Sequence, residues 1–138
     1  MLLPVTKFPG ESKTGLTHVA VQIRNRETTD TFSANFLVDT GATDSMVPAC
    51  ELVRIGIKPN HKKTYELANG ELAKFDVAYA VFSFMDETIE SRVIFGPDNA
   101  EPILGVLALE AIGVVVDPSS QKLKKLPALP LKMAVWPN

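Results

Sequence analysis

The chain has 138 residues, enough for one domain with a real core, and 46% of them are hydrophobic, which excludes a disordered chain. Net charge is −2, and no basic block is longer than Lys62-Lys63 or Lys124-Lys125, which argues against a nucleic-acid partner. The single cysteine, Cys50, can close no internal disulfide, and the two histidines lie far from it in sequence, so neither a metal cluster nor a cofactor is expected.

No apolar run approaches the ~20 residues that span a bilayer, and Pro4 interrupts the short apolar start, so no membrane partner is expected and the expected location is cytoplasmic. Residues 1–15 carry Pro4, Pro9, Gly10 and Gly15 and read as a flexible lead-in. Residues 17–24 alternate, with Val19, Val21 and Ile23 inward and His18, Gln22 and Arg24 on the solvent face. Residues 25–30 form a charged loop, and 31–38 form a second strand with Phe32, Ala34, Phe36 and Val38 on one face. Pro48 and Gly56 bracket a short helix at 49–55, in which Cys50 reads as a small apolar residue. A strand at 62–67 and a long one at 72–84 flank Asn69-Gly70, a strong hairpin signal. The long strand is apolar on both faces near its end and so lies between layers. After the turn Met85-Asp86-Glu87 come a strand at 88–95 and a loop at 96–102. Ile103-Leu104-Gly105 then leads into a short helix closed by Gly113. A buried strand at 114–116 pairs with 121–126. Residues 127–138, with Pro127, Pro130 and Pro137 among apolar residues, form a tail expected to pack on the body or a partner. The body is therefore 16–126, and its many short strands predict an all-β, small closed or nearly closed fold.

The stretch Phe36-Leu37-Val38-Asp39-Thr40-Gly41-Ala42 organises the rest. A carboxylate at the end of an apolar strand costs several kcal/mol if it is buried charged and unpaired. Thr40 adds a hydroxyl that donates and accepts, and Gly41 a backbone that another chain can approach closely. Three residues alone are also compatible with a strand and a polar turn.

The order of D-T-G-A at 39–42, a hairpin tipped by Ala68-Asn69-Gly70, and Ile103-Leu104-Gly105 before a short helix resembles the retropepsin-like (retroviral-type) aspartic proteases, the free-standing microbial group most closely. The resemblance covers about residues 15–126. It implies a β-barrel-like acid-protease fold with a flap hairpin and a short C-terminal helix. It makes Asp39 the catalytic aspartate, with Thr40 bracing the loop against a facing copy. Gly41 and Ala42 would lie along the substrate backbone. Ala68, Asn69 and Gly70 would be the flap tip. Met46 and Ile103, with Val47, would make apolar pockets, and Gly105 would let two chain segments cross. Asp44 would offer a polar contact to substrate. The family commonly carries an ion pair where this chain has Thr43 and Val106, so the interface differs there.

Peptide hydrolysis of this kind needs one carboxylate as base and another as acid. Neither Asp44 nor Asp117 heads a second D-T-G, so two copies of Asp39 on a two-fold axis are required, and a homodimer acting on peptide or protein follows. The alternative is a non-catalytic dimeric peptide-binding or scaffold module of the same fold. Phosphoryl transfer through Asp39 fits poorly, because Gly41 stands where a second carboxylate would be wanted.

Overall fold

The computed structural model describes residues 2–3, 17–129 and 131. Most of the lead-in and of the 127–138 tail lies outside them. The strands are β1 (Leu2–Leu3), β2 (His18–Arg24), β3 (Thr31–Val38), β4 (Ser45–Pro48), β5 (His61–Glu66), β6 (Leu72–Phe84), β7 (Glu87–Gly96), β8 (Ile103–Leu104), β9 (Val114–Asp117) and β10 (Lys122–Lys125). Two six-residue helices, α1 (Ala49–Arg54) and α2 (Val106–Ala111), interrupt them. The class is all-β.

Seven strands form one sheet in the order β2-β3-β8-β4-β7-β6-β5, and a second pairing of β2 with β6 turns the sheet back on itself as a ring. β2 and β3 run antiparallel, with His18 opposite Leu37 and Arg24 opposite Thr31. β3 and β8 are parallel, as are β4 and β7, so residues distant in sequence are bound side by side. β6 joins two regions. Its first part pairs with β5, His61 facing Val77, and its later part pairs with β2 through Val81, Phe82 and Ser83. The β5–β6 hairpin therefore extends from a strand that is itself part of the ring. The two faces of β6 are both covered there: Val81 and Phe82 are consecutive and both buried.

Phe36, Phe82, Ile23, Val47 and Leu104 fill the inside of the ring, each essentially inaccessible. Six-residue helices are not stable alone. α1 is held by Leu52 in the core and by a closed C-terminus, in which the N–H of Ile57 donates to the carbonyl of Leu52 and that of Gly56 to Val53. α2 is held by Ala108 and Leu109. The β6–β7 turn puts Met85 and Asp86 at φ 51° and 63°, the geometry whose twist suits a two-residue hairpin. No helix among the described residues is long and apolar enough to cross a membrane.

Four expectations change. His18 is buried, because the start of β2 is covered from two sides. Its Nε2 lies 2.8 Å from Glu101 Oε2, and the neighbouring Thr17 hydroxyl donates to the Gln121 carbonyl. Leu2–Leu3, in the expected lead-in, pair with β10. Val115 is 42% exposed, because β9 is the outer strand of the small sheet β1-β10-β9 and buries one face only. Cys50 is exposed on α1, where its backbone N–H donates to Asp98.

Candidate active site

β3 delivers Asp39 to the mouth of a cleft of about 730 Å³ between the 39–46 loop, the β5–β6 hairpin and β8. Strand β3 ends there because its ladder is taken over by other chain segments. Val38 N–H donates to the Thr17 carbonyl, and Asp39 N–H donates to the Leu104 carbonyl at 3.1 Å. The loop then closes on itself. Ala42 N–H donates to the Asp39 carbonyl, and Gly41 N–H donates to Asp39 Oδ1 at 2.9 Å. A Cβ at Gly41 would sit 3.3 Å from that oxygen, tighter than most real contacts, so the residue keeps the carboxylate uncrowded. Asp39 is half-buried and Thr40 is exposed.

The N-terminus of α2 holds the other side of the loop. The first N–H groups of a helix have no partner within it. Here Val106 N–H donates to the Ala42 carbonyl at 2.8 Å and Leu107 N–H to the Thr43 carbonyl at 3.1 Å. At Thr43 and Val106, where the family's ion pair is missing, the two segments are thus tied through backbone. Gly105 is buried between them. A Cβ there would lie 2.6 Å from the Asp44 carbonyl carbon and 2.8 Å from the Thr43 oxygen, so this position admits only hydrogen. Gly105 N–H donates to the buried Ser45 hydroxyl at 2.9 Å.

Of the residues expected at the site, Asp39, Gly41, Ala42, Asp44, Met46, Ala68 and Ile103 line the cleft. Met46 and Ile103 face each other across the β4–β8 pair. Asn69 and Gly70 stand at the exposed hairpin tip, where Gly70 N–H donates to the Leu67 carbonyl and Glu71 N–H to the Asn69 side chain. Gly70 has φ +86°, which a residue with a Cβ adopts only under strain. Val47, expected in a pocket, is fully buried in the core, because successive strand side chains point to opposite faces and Met46 takes the cleft side.

Asp44 also differs from expectation. It lines the cleft wall, but its carboxylate is buried, with 2% of the side chain accessible. Tyr65 Oη on β5 donates to Asp44 Oδ2 at 2.6 Å, and Arg92 Nη1 on β7 lies 3.5 Å from the same oxygen. Arg92 in turn sits over the Tyr79 ring, 6.0 Å from its centroid. Burial first, then the Asp44 carboxylate, push the Tyr65 phenol well above the usual tyrosine range. Burial opposes the Arg92 charge, but Asp44 and the tyrosine oxygens outweigh it and raise its pKa. Tyr65, Arg92 and Ser45 were not singled out in the sequence. The faint signal for Arg92 was a lone cation directly before the apolar run Val93-Ile94-Phe95.

A family model described as aspartyl protease matches residues 19–109, more than half of the chain. No curated protein matches by sequence. Among solved structures, the chain is similar to EIAV protease complexed with the inhibitor HBY-793, at 20% identity over 78% of this chain and 95% of that one, with a TM-score of 0.54. It also matches the protease of simian foamy virus (mac), at 20% identity over 67% of this chain and 90% of that one, with a TM-score of 0.48. At this identity the likeness to EIAV protease is one of fold, a retropepsin-like one.

Proposed function

This chain belongs to the aspartyl protease family, and from that premise we propose that it is a homodimeric endopeptidase whose active site pairs two copies of Asp39. The observation that carries the reading is a single D-T-G loop, tied by backbone hydrogen bonds to β8 and α2, presenting one half-buried carboxylate to a cleft. One carboxylate cannot act as base and acid in the same step. Two brought together on a two-fold axis share a proton, because like charges a few ångströms apart resist joint ionisation. The ionised member then takes a proton from water, and the protonated member donates to the scissile carbonyl oxygen. The attacked carbon becomes tetrahedral, and the carbon–nitrogen bond breaks as the amine gains a proton.

Gly41 and Ala42 would flank the substrate backbone, and Met46 with Ile103 would favour apolar side chains beside the cleaved bond. The β5–β6 hairpin would act as the flap, with Ala68, Asn69 and Gly70 at its tip. Thr40, exposed in the single chain, would brace the loop against its copy. The lone cysteine supports a reducing, cytoplasmic setting.

The test is digestion of an unfolded protein mixture between about pH 4 and pH 8, with sedimentation of the same samples. The wild type should cleave internally and sediment as a dimer, and a statine-type peptide should block cleavage. Asp39→Asn should abolish cleavage and leave the fold intact. Activity that survives Asp39→Asn, or that belongs to a monomer, would refute the reading. A folded dimer that binds peptides without cleaving them would establish the binding-module alternative.

A further inference from the structure

Among the described residues, one side-chain hydrogen bond joins the hairpin over the cleft to the active-site loop. Within β5, Lys62 Nζ bonds Asp76 and His61 Nδ1 bonds Asn60, so these contacts stay inside the hairpin and its root. Tyr65 alone among the described β5 side chains reaches out, to Asp44, three residues beyond Gly41. Its ring is held on the other side by Phe75 of β6, with centroids 6.2 Å apart. The acceptor has little else. Asp44 Oδ1 is buried without a partner among the described residues, and Arg92 approaches Oδ2 only to 3.5 Å. A short bond from a half-buried phenol to a buried carboxylate so poorly served is stronger than an ordinary neutral hydrogen bond.

We propose that Tyr65 is a positioning residue: through Asp44 it holds the β5 arm of the hairpin down on the active-site loop, so that the cleft is organised before substrate arrives. With this bond made, the β5 arm already lies on the loop, so a peptide entering the cleft does not have to order the hairpin. When the competent arrangement is only partly populated, apparent affinity falls by that fraction. A hydrogen bond to a charged group shifts such an equilibrium about tenfold or more. The kinetic consequence rests on the endopeptidase reading, but the structural coupling does not.

The experiment compares the full-length wild type with Tyr65→Phe, which keeps the ring on Phe75 and removes only the hydroxyl. Amide hydrogen exchange is measured in the free protein. Exchange at 61–72 should accelerate about tenfold in the variant, with β9 and β10 unchanged. Asp44→Ala, which removes the acceptor, should accelerate exchange at 61–72 in the wild-type background and add nothing there to Tyr65→Phe, because both changes break one bond. Equal hairpin exchange in wild type and Tyr65→Phe, or additive effects of the two substitutions, overturns the proposal. With dye-labelled casein as substrate, Tyr65→Phe should raise KM up to about tenfold and leave kcat within about twofold, since bound peptide itself holds the hairpin. A fall in kcat at constant KM also overturns it. Absence of turnover in the wild type counts against the endopeptidase reading alone, and the exchange measurements then decide the role of Tyr65.

Discussion

Replacing Gly105 by alanine tests whether the site is held by close backbone approach. The torsions of Gly105, φ −87° and ψ 172°, suit any residue, so its role is one of space. An added Cβ would lie 2.6 Å from the Asp44 carbonyl carbon, 2.7 Å from its oxygen and 2.8 Å from the Thr43 oxygen, where ordinary contact begins at 3.4 Å. All three atoms are backbone, so no side chain can swing aside. The strands must part by several tenths of an ångström, at a cost of about 1–3 kcal/mol for overpacking. The parting also stretches the bonds from Gly105 to Ser45 and from Val106 and Leu107 to the loop carbonyls, each worth about 1 kcal/mol. The sum is roughly 4–6 kcal/mol, which lowers Tm by roughly 14–20 °C in a chain of this size. Gly70→Ala is the converse control. Nothing lies within 4 Å of its Cβ, but φ is +86°, so the change costs only about 1–2 kcal/mol of torsional strain. Thermal unfolding followed by circular dichroism, at one fixed protein concentration, compares the two. A Gly105→Ala protein melting within about 3 °C of wild type, or less perturbed than Gly70→Ala, would refute the close-approach account.

Ser45→Ala should cost about 1–3 kcal/mol in urea unfolding, because it leaves the buried Gly105 N–H without an acceptor. Phe36→Ala, at the centre of the ring, should cost about 3–5 kcal/mol by the same measurement, since its side chain is fully buried. Tyr65 gives a pH dependence of definite sign. Its pKa is raised on folding, so its contribution is complete below the ordinary tyrosine value near 10 and is lost as pH climbs above that toward the folded value. Unfolding measured from pH 8 upward should show wild-type stability declining faster than that of Tyr65→Phe, and parallel profiles would contradict the linkage.

Much of the scaffold was legible because local signals agreed. β3 begins after a charged loop, alternates, and stops at Asp39, and the structure gives it the expected bounds. Pro48 and Gly56 flank α1 because proline is ready for a helix start and glycine for the residue past its end. The apolar double face of β6 signalled its position between layers. What escaped was polar residues whose meaning lies in distant partners. His18 sits in an alternating strand and reads as solvent-facing until the loop before β8 brings Glu101 to it. Tyr65 sits in the mostly exposed strand His61–Glu66, where an aromatic suggests only β-propensity. Arg92 looks like a surface charge, and the parallel pairing of β4 with β7 makes it a neighbour of Asp44. Asp44 itself was legible as a residue near the site, and its partner was not.

Four of the bonds that hold the D-T-G loop and its flanks come from far along the chain: Pro102 to Leu37, Leu104 to Asp39, and Val106 and Leu107 to Ala42 and Thr43. A polypeptide emerging from the ribosome with residues 39–42 already made has the reactive sequence but none of these bonds. Loop closure over such a separation is slow compared with local helix or hairpin formation. The nascent chain therefore carries an unassembled centre until the segment through Leu107 has been synthesised and has reached it. Interrupted synthesis before residue 102 yields a fragment that contains every atom of the D-T-G motif and cannot hold it in shape.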